Sequence, residues 1–120
     1  EAIESQAKVL GLTNIITRRV NLEKEGGSKL EAESLDWVVV KDMLYQNQGK
    51  NLILEEAKRV LRPEGRMIII EWNGGDATVG PEADRRISRE KMLELLSSAG
   101  LRVEKEISVG DFHYGLIVSK

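Results

Sequence analysis

Apolar residues recur at helical spacing at Ile3, Ala7 and Leu10, with polar residues between them and Gly11 following as a left-handed stop. This spacing predicts a helix over residues 1–10, already in progress at the first residue. Residues 14–20 are rich in Ile, Thr and Val and predict a strand, whereas the polar stretch 21–33, with Gly26 and Gly27, predicts a loop. Residues 35–40 predict a second strand. Its Val38-Val39-Val40 run is continuous, not alternating, which suits a parallel strand covered on both faces.

Over residues 51–62 the positions Leu52, Ile53, Ala57, Val60 and Leu61 form a helical stripe that Pro63 and Gly65 end. Residues 67–72 predict another apolar strand, and strand, helix, strand in that order is a right-handed parallel crossover. Residues 73–86 hold three Gly, one Pro and several charges, a functional or lid segment more than a plain connection. Ser88 is placed to cap a helix whose inner face is Met92, Leu95, Leu96 and Ala99, with Gly100 as its stop. Residues 102–108 and 112–118 then predict two strands, and the short link at Gly110-Asp111 makes them an antiparallel hairpin.

At 120 residues the chain is a single domain or part of one, short of the roughly 150 to 200 residues of a complete nucleotide-binding α/β domain. Hydrophobic residues at 41% and charged residues at 32% fit a folded globular body and not a disordered one. A net charge of -2 gives no global field toward nucleic acid or an anionic membrane. With no Cys and a single His, neither a disulfide nor a metal site built on Cys or His is expected. No apolar run reaches the roughly 20 residues of a membrane span, and the first residues lack the order of a signal peptide. Cytoplasm is the expected compartment. The start at Glu1, without Met, reads as an internal cut.

The segment Leu35-Asp36-Trp37-Val38-Val39-Val40, the helix ending Arg59-Val60-Leu61-Arg62-Pro63-Glu64-Gly65, and the strand Arg66-Met67-Ile68-Ile69-Ile70-Glu71-Trp72 together resemble class I S-adenosylmethionine-dependent methyltransferases of the small-molecule, methyltransferase-11-like type. The likeness continues through Ile87-Ser88, Ser98-Ala99-Gly100-Leu101 and Tyr114-Gly115-Leu116-Ile117-Val118, and backwards to the first helix with Asn14-Ile15-Ile16. It covers nearly all of the chain and corresponds to the C-terminal two-thirds of such a domain, without the glycine-rich cofactor loop. Glu64 stands where that family commonly has Gly.

The resemblance implies a Rossmann-like α/β fold, with a mostly parallel sheet, a C-terminal antiparallel hairpin, and the family's first two strands missing. That family's sheet runs third, second, first, fourth, fifth, seventh, sixth. The 35–40 strand would then have a naked edge, an association hazard that a closing strand, a homodimer or a partner chain would cover.

The resemblance also implies S-adenosylmethionine as cofactor, with Asn21, Leu22 and Glu23 near the adenine and Lys41, Asp42, Met43 and Leu44 along the methionine part. Tyr45, Gln46, Glu71 and Asn73 then face a small-molecule substrate. Read as residues alone, Asn21 to Glu23 are a solvated loop, Tyr45 and Gln46 pack against the next helix, and Glu71 and Asn73 are a partly solvated strand end. His113 reads as a hydrogen-bonded sheet histidine. The basic pairs, Arg85-Arg86 among them, read as a solvated face, with no aromatic interleaving to suggest RNA.

Two functions follow: methyl transfer to a small acceptor, or a non-catalytic, truncated methyltransferase-like module used for assembly or binding. Absence of the glycine cradle from these residues supports the second.

Overall fold

The structure, a computed structural model, describes residues 2–15, 19–73 and 79–120. Helix α1 (Ala2–Val9) ends in Gly11 at φ 71°, the stop that its spacing predicted. Strand β1 (Leu35–Lys41) leads through a short 3-10 turn, Leu44–Gln46, into helix α2 (Lys50–Val60). Strand β2 (Leu61–Trp72) follows without a loop. A second 3-10 turn, Ala83–Arg85, precedes helix α3 (Arg89–Ser98), and the chain ends in β3 (Arg102–Ser108) and β4 (His113–Ser119).

The strand order is β1-β2-β4-β3, with β1 and β2 parallel and β4 antiparallel to both β2 and β3. Among the described residues the sheet therefore has one parallel pair and two antiparallel pairs, where a mostly parallel sheet was expected. The difference lies in the 14–20 strand: residues 16–18 are outside the described ones, and the described residues on either side are not in a strand. No described strand pairs with the outer edge of β1.

One face of the sheet carries the core. Val40, Met67, Ile69, Leu116 and Val118 pack against Ile53, Leu54 and Ala57 of α2 and Met92 and Leu96 of α3. Each of the buried Val, Leu, Ile and Met side chains contributes roughly 1.5–3 kcal/mol. On α2 the predicted stripe is buried at Ile53, Ala57, Val60 and Leu61, but Leu52 is 48% exposed, while Leu54 and Glu56 are buried beside it. On α3, Ser88 Oγ accepts from Lys91 N at 3.2 Å as the predicted cap, and Gly100 at φ 74° forms the predicted stop. The opposite face is open at β1, where Trp37 and Val39 are 54% and 60% exposed. The two-sided burial expected for the Val38-Val39-Val40 run is thus one-sided.

Gly65 shows why Pro63-Glu64-Gly65 lies where it does. Leu35 pairs with Leu61 and Trp37 with Arg66, so the residues between bulge out of the ladder. A Cβ on Gly65 would lie 2.8 Å from the backbone oxygen of Asp36, a contact only glycine avoids.

Candidate functional site at the strand ends

The carboxyl end of β1 continues one residue past the strand, where Asp42 N donates to Ile70 O at 2.9 Å. Asp42 does so at φ 51°, a left-handed conformation that costs a non-glycine residue energy and that clusters at functional sites. This turn aims its carboxylate at two cations or potential cations. Oδ2 lies 3.1 Å from Lys41 Nζ, and Oδ1 lies 2.9 Å from His113 Nε2 at the start of β4. Met43 packs against the core, and the chain folds back on itself: Gln46 Nε2 donates to Asp42 O and Asn47 Nδ2 to Met43 O.

Beneath this turn lies Glu71, fully buried near the end of β2. Burial raises its pKa above the usual 4.5, against the amide hydrogen bonds from Leu44 and Tyr45 that stabilise its ionised form and with the nearby charge of Asp42 adding to the rise. Its Oε1 accepts from Leu44 N at 2.9 Å. Tyr114 sits opposite Glu71 in the ladder and donates from its hydroxyl to Ile87 O at 2.8 Å; burial, then the charge of Glu71, pushes its pKa up.

On the other face of the sheet Trp72 pairs with His113, their ring centroids 4.3 Å apart. Arg86 lies over Trp72, 5.6 Å from the ring centroid, and donates to Pro81 O, Asn73 O and Val79 O. Gly80 passes so close that a Cβ there would meet the indole at 2.6 Å. Asn73 is turned toward the hairpin, donating to Phe112 O from its backbone and to Asp111 O from its side chain.

The rim expected from Asp42, Glu71 and Asn73 is therefore divided. Glu71 serves the 44–45 turn, Asn73 ties down the hairpin, and Asp42 faces His113. Tyr45 packs against the core, as its residue-level reading had it, while Gln46 is exposed. Asn21 Oδ1 accepts from Glu23 N, and Glu23 Oε1 accepts from Gly49 N at 3.1 Å, which seats this segment at the start of α2 with Leu22 against the core. Asn21 also lines a cavity of about 600 Å³ with Arg19, Lys24, Glu25 and Gly27. The pairing of His113 with Asp42 was missed. The family sheet order sets the start of the seventh strand beside the end of the fifth, which gives Trp72 with His113; the reach of Asp42 across β2 depends on its turn at φ 51° and had no signal in the sequence.

Among the described residues, Asp42 Oδ1, Glu71 Oε2, Trp72 Nε1, His113 Nε2 and Ser119 Oγ are the buried side-chain polar atoms without a hydrogen bond of good geometry. Four of these belong to this one strand-end cluster. The 2.9 Å approach of Asp42 to His113 is thus a close contact and not an aligned hydrogen bond. Buried polar atoms without hydrogen bonds are uncommon, and here they gather at the strand ends, Trp72 and His113 on one face of the sheet and Glu71 on the other.

The sheet order matches the last four strands of the methyltransferase series, and solved structures agree. The chain superposes on a SAM-dependent methyltransferase from Aquifex aeolicus with a TM-score of 0.85 at 24% identity, covering 96% of this chain and 60% of that one. The chain has the class I methyltransferase fold. A putative type 11 methyltransferase from Sulfolobus solfataricus matches with a TM-score of 0.75 at 20% identity, covering 99% of this chain and 64% of that one. The cyclase SpnF matches with a TM-score of 0.71 at 20% identity, covering 87% of this chain and 38% of that one. This chain spans 60–64% of the length of the two methyltransferases. No protein-family model and no curated protein matches it.

Within this methyltransferase fold the described cluster occupies the carboxyl end of the parallel pair, where ligands of open α/β sheets bind. No helix among the described residues is long and apolar enough to cross a membrane, and no described group of three or more acidic or His side chains could hold a metal.

Proposed function

We propose that this chain takes part in S-adenosylmethionine-dependent methyl transfer to a small molecule bearing a hydroxyl or amine. The observation that carries the reading is the Asp42–His113 pair at the carboxyl end of β1, on a fold shared with S-adenosylmethionine-dependent enzymes. The residues present suit the reacting end of that cofactor. Asp42 carries a carboxyl group, complementary to a cation, and its Oδ1 is a buried acceptor without an aligned donor. Lys41, Asp42, Met43 and Leu44 would hold that end, and the segment Asn21 to Glu23 would hold the nucleoside. When bound, the cofactor supplies a methyl group activated by positively charged sulfur.

The chain's own residues then position and deprotonate the acceptor. His113 Nε2 lies 2.9 Å from Asp42 Oδ1, so in the neutral imidazole with its hydrogen on Nε2 the nitrogen that would accept the proton of the attacking hydroxyl or amine is Nδ1. Trp72 fixes the imidazole plane from one side. Methyl transfer asks mainly for such positioning and for exclusion of water.

A second reading, a non-catalytic module with the same fold, is favoured by the open edge of β1 with its exposed Trp37 and Val39. In that reading a second copy or a partner chain covers the edge.

Isothermal calorimetry of S-adenosylmethionine with the chain, alongside its mass by light scattering, separates the two. Binding at micromolar strength supports methyl transfer. No heat at millimolar cofactor, together with a defined dimer, overturns it in favour of the module.

A further inference from the structure

A second concavity, about 270 Å³, lies at the same end of the sheet, between the start of α2 and the start of α3. Its lining includes Lys50, Arg85, Arg86 and Lys91 against a single acid, Asp84, with Ile87 and Leu95 as apolar surface. Four cations in one hollow of a chain whose net charge is -2 is a local concentration of one sign, and a concave wall focuses its field. Both flanking helices begin here, so their amino-terminal dipoles add to the same sign.

The four cations are not equally engaged. Arg86 is committed to three backbone oxygens, and Lys50 Nζ donates to Asn47 O. Arg85 and Lys91 are exposed, and their side chains hold no hydrogen bond or ion pair among the described residues. Two fixed cations and two free ones are what an anion with several oxygens needs: an orientation and a pair of adaptable donors.

We propose that this pocket binds the phosphate or carboxylate group of a small molecule. Arg86 joins it to the site described above, since its guanidinium lies over Trp72, and Trp72 packs on His113. The pocket's anion preference stands by itself; that the anion belongs to the methyl acceptor rests on the methyltransferase reading. In that case the acceptor is anionic at one end, anchored between Arg85 and Lys91, and protic at the other, beside His113.

The test is an amide NMR titration of the chain with inorganic phosphate at low ionic strength, repeated with acetate. The expected result is saturable shifts confined to Lys50 and residues 84–91. Arg85→Glu with Lys91→Glu should weaken binding by about tenfold or more. Lys105→Glu, which the ladder places beside Ile117 on the face away from the core, should change nothing. Shifts that never saturate, or that survive the double variant, would overturn the proposal. So would complete displacement of phosphate by S-adenosylhomocysteine, which would make the pocket part of the cofactor site, or tighter, spreading binding by a short oligonucleotide. Failure of the cofactor calorimetry would leave the phosphate titration untouched, so the two proposals fail separately.

Discussion

Asp42 Oδ1 lies 2.9 Å from His113 Nε2, joining the end of the first strand in the described sheet to the beginning of the last. The two residues belong to strands that are not neighbours: β2 lies between β1 and β4. The contact exists because Asp42 turns at φ 51° over the end of β2, and because His113 stands opposite Trp72 in the register.

If His113 accepts the acceptor's proton, His113→Gln should lower methyl transfer by about 10²-fold or more, in line with the usual worth of a positioned base. Asp42→Asn should have a smaller effect, about tenfold, because the imidazole remains but loses its orienting charge. Initial rates with cofactor and acceptor present check both, and unchanged far-ultraviolet circular dichroism confirms that the fold survives.

Glu56 clamps the 26–28 loop to α2. It is buried on α2, accepts from Arg59 Nε and Nη2 at 2.8 Å, and also takes hydrogen bonds from Gly26 N, Ser28 N and Ser28 Oγ. The Arg59 hydrogen bond first, then those of Ser28, pull its pKa from 4.5 down to about 2 in spite of burial. A depressed carboxyl stabilises the fold above its unfolded value, and this stabilisation is lost as pH falls from 4.5 toward 2. Glu56→Gln should therefore cost on the order of 2–3 kcal/mol at pH 7 and very little at pH 2. Urea denaturation at the two pH values measures the difference.

Glu71 should act in the opposite sense. Its pKa is raised, chiefly by burial, so the folded state holds the proton after the unfolded state has released it. Stability falls as pH rises from 4.5 through the raised value. Glu71→Gln keeps an acceptor for Leu44 N and carries no charge. Its urea midpoint should exceed that of the wild type at pH 7 and equal it near pH 4.

Gly65→Ala places a methyl 2.8 Å from Asp36 O, a backbone atom held in β1. The strand must shift, at a cost of about 1–3 kcal/mol. The thermal midpoint should fall, and the change should be larger than for Gly110→Ala. Gly110 has open space around it, although its φ of 81° carries a strain of its own.

Much of the architecture was legible in residue pattern. The uninterrupted run Met67 to Trp72, the cap at Ser88 and the stops at Gly11 and Gly100 depend on local periodicity and backbone preference, and all four stand where they were expected. The burial of Glu56 on α2 was not legible. Glu56 looks like a surface residue because its partners, the amides of Gly26 and Ser28, lie in a loop distant in sequence. With that loop bonded to Glu56, Glu56 lies inside with Leu54, and Leu52 lies outside.

The candidate site divides in the same way. Lys41, Asp42 and Glu71 could be placed near strand ends from sequence, because a strand's end is a local event. Which of them face one another could not. Glu71 turns under the 44–45 turn, Asn73 reaches to Asp111, and Asp42 meets His113.

By itself, then, the sequence determined the helices and strands from residue 35 onward, their order, and the kinship of that order to methyltransferases, since these follow from spacing, turn residues and chain continuity. Tertiary structure alone decided the partners: Asp42 with His113, Glu56 with the 26–28 loop, and the basic hollow between α2 and α3. Side-chain pairing between distant segments depends on strand register and helix rotation, and both are set only when the whole core packs at once.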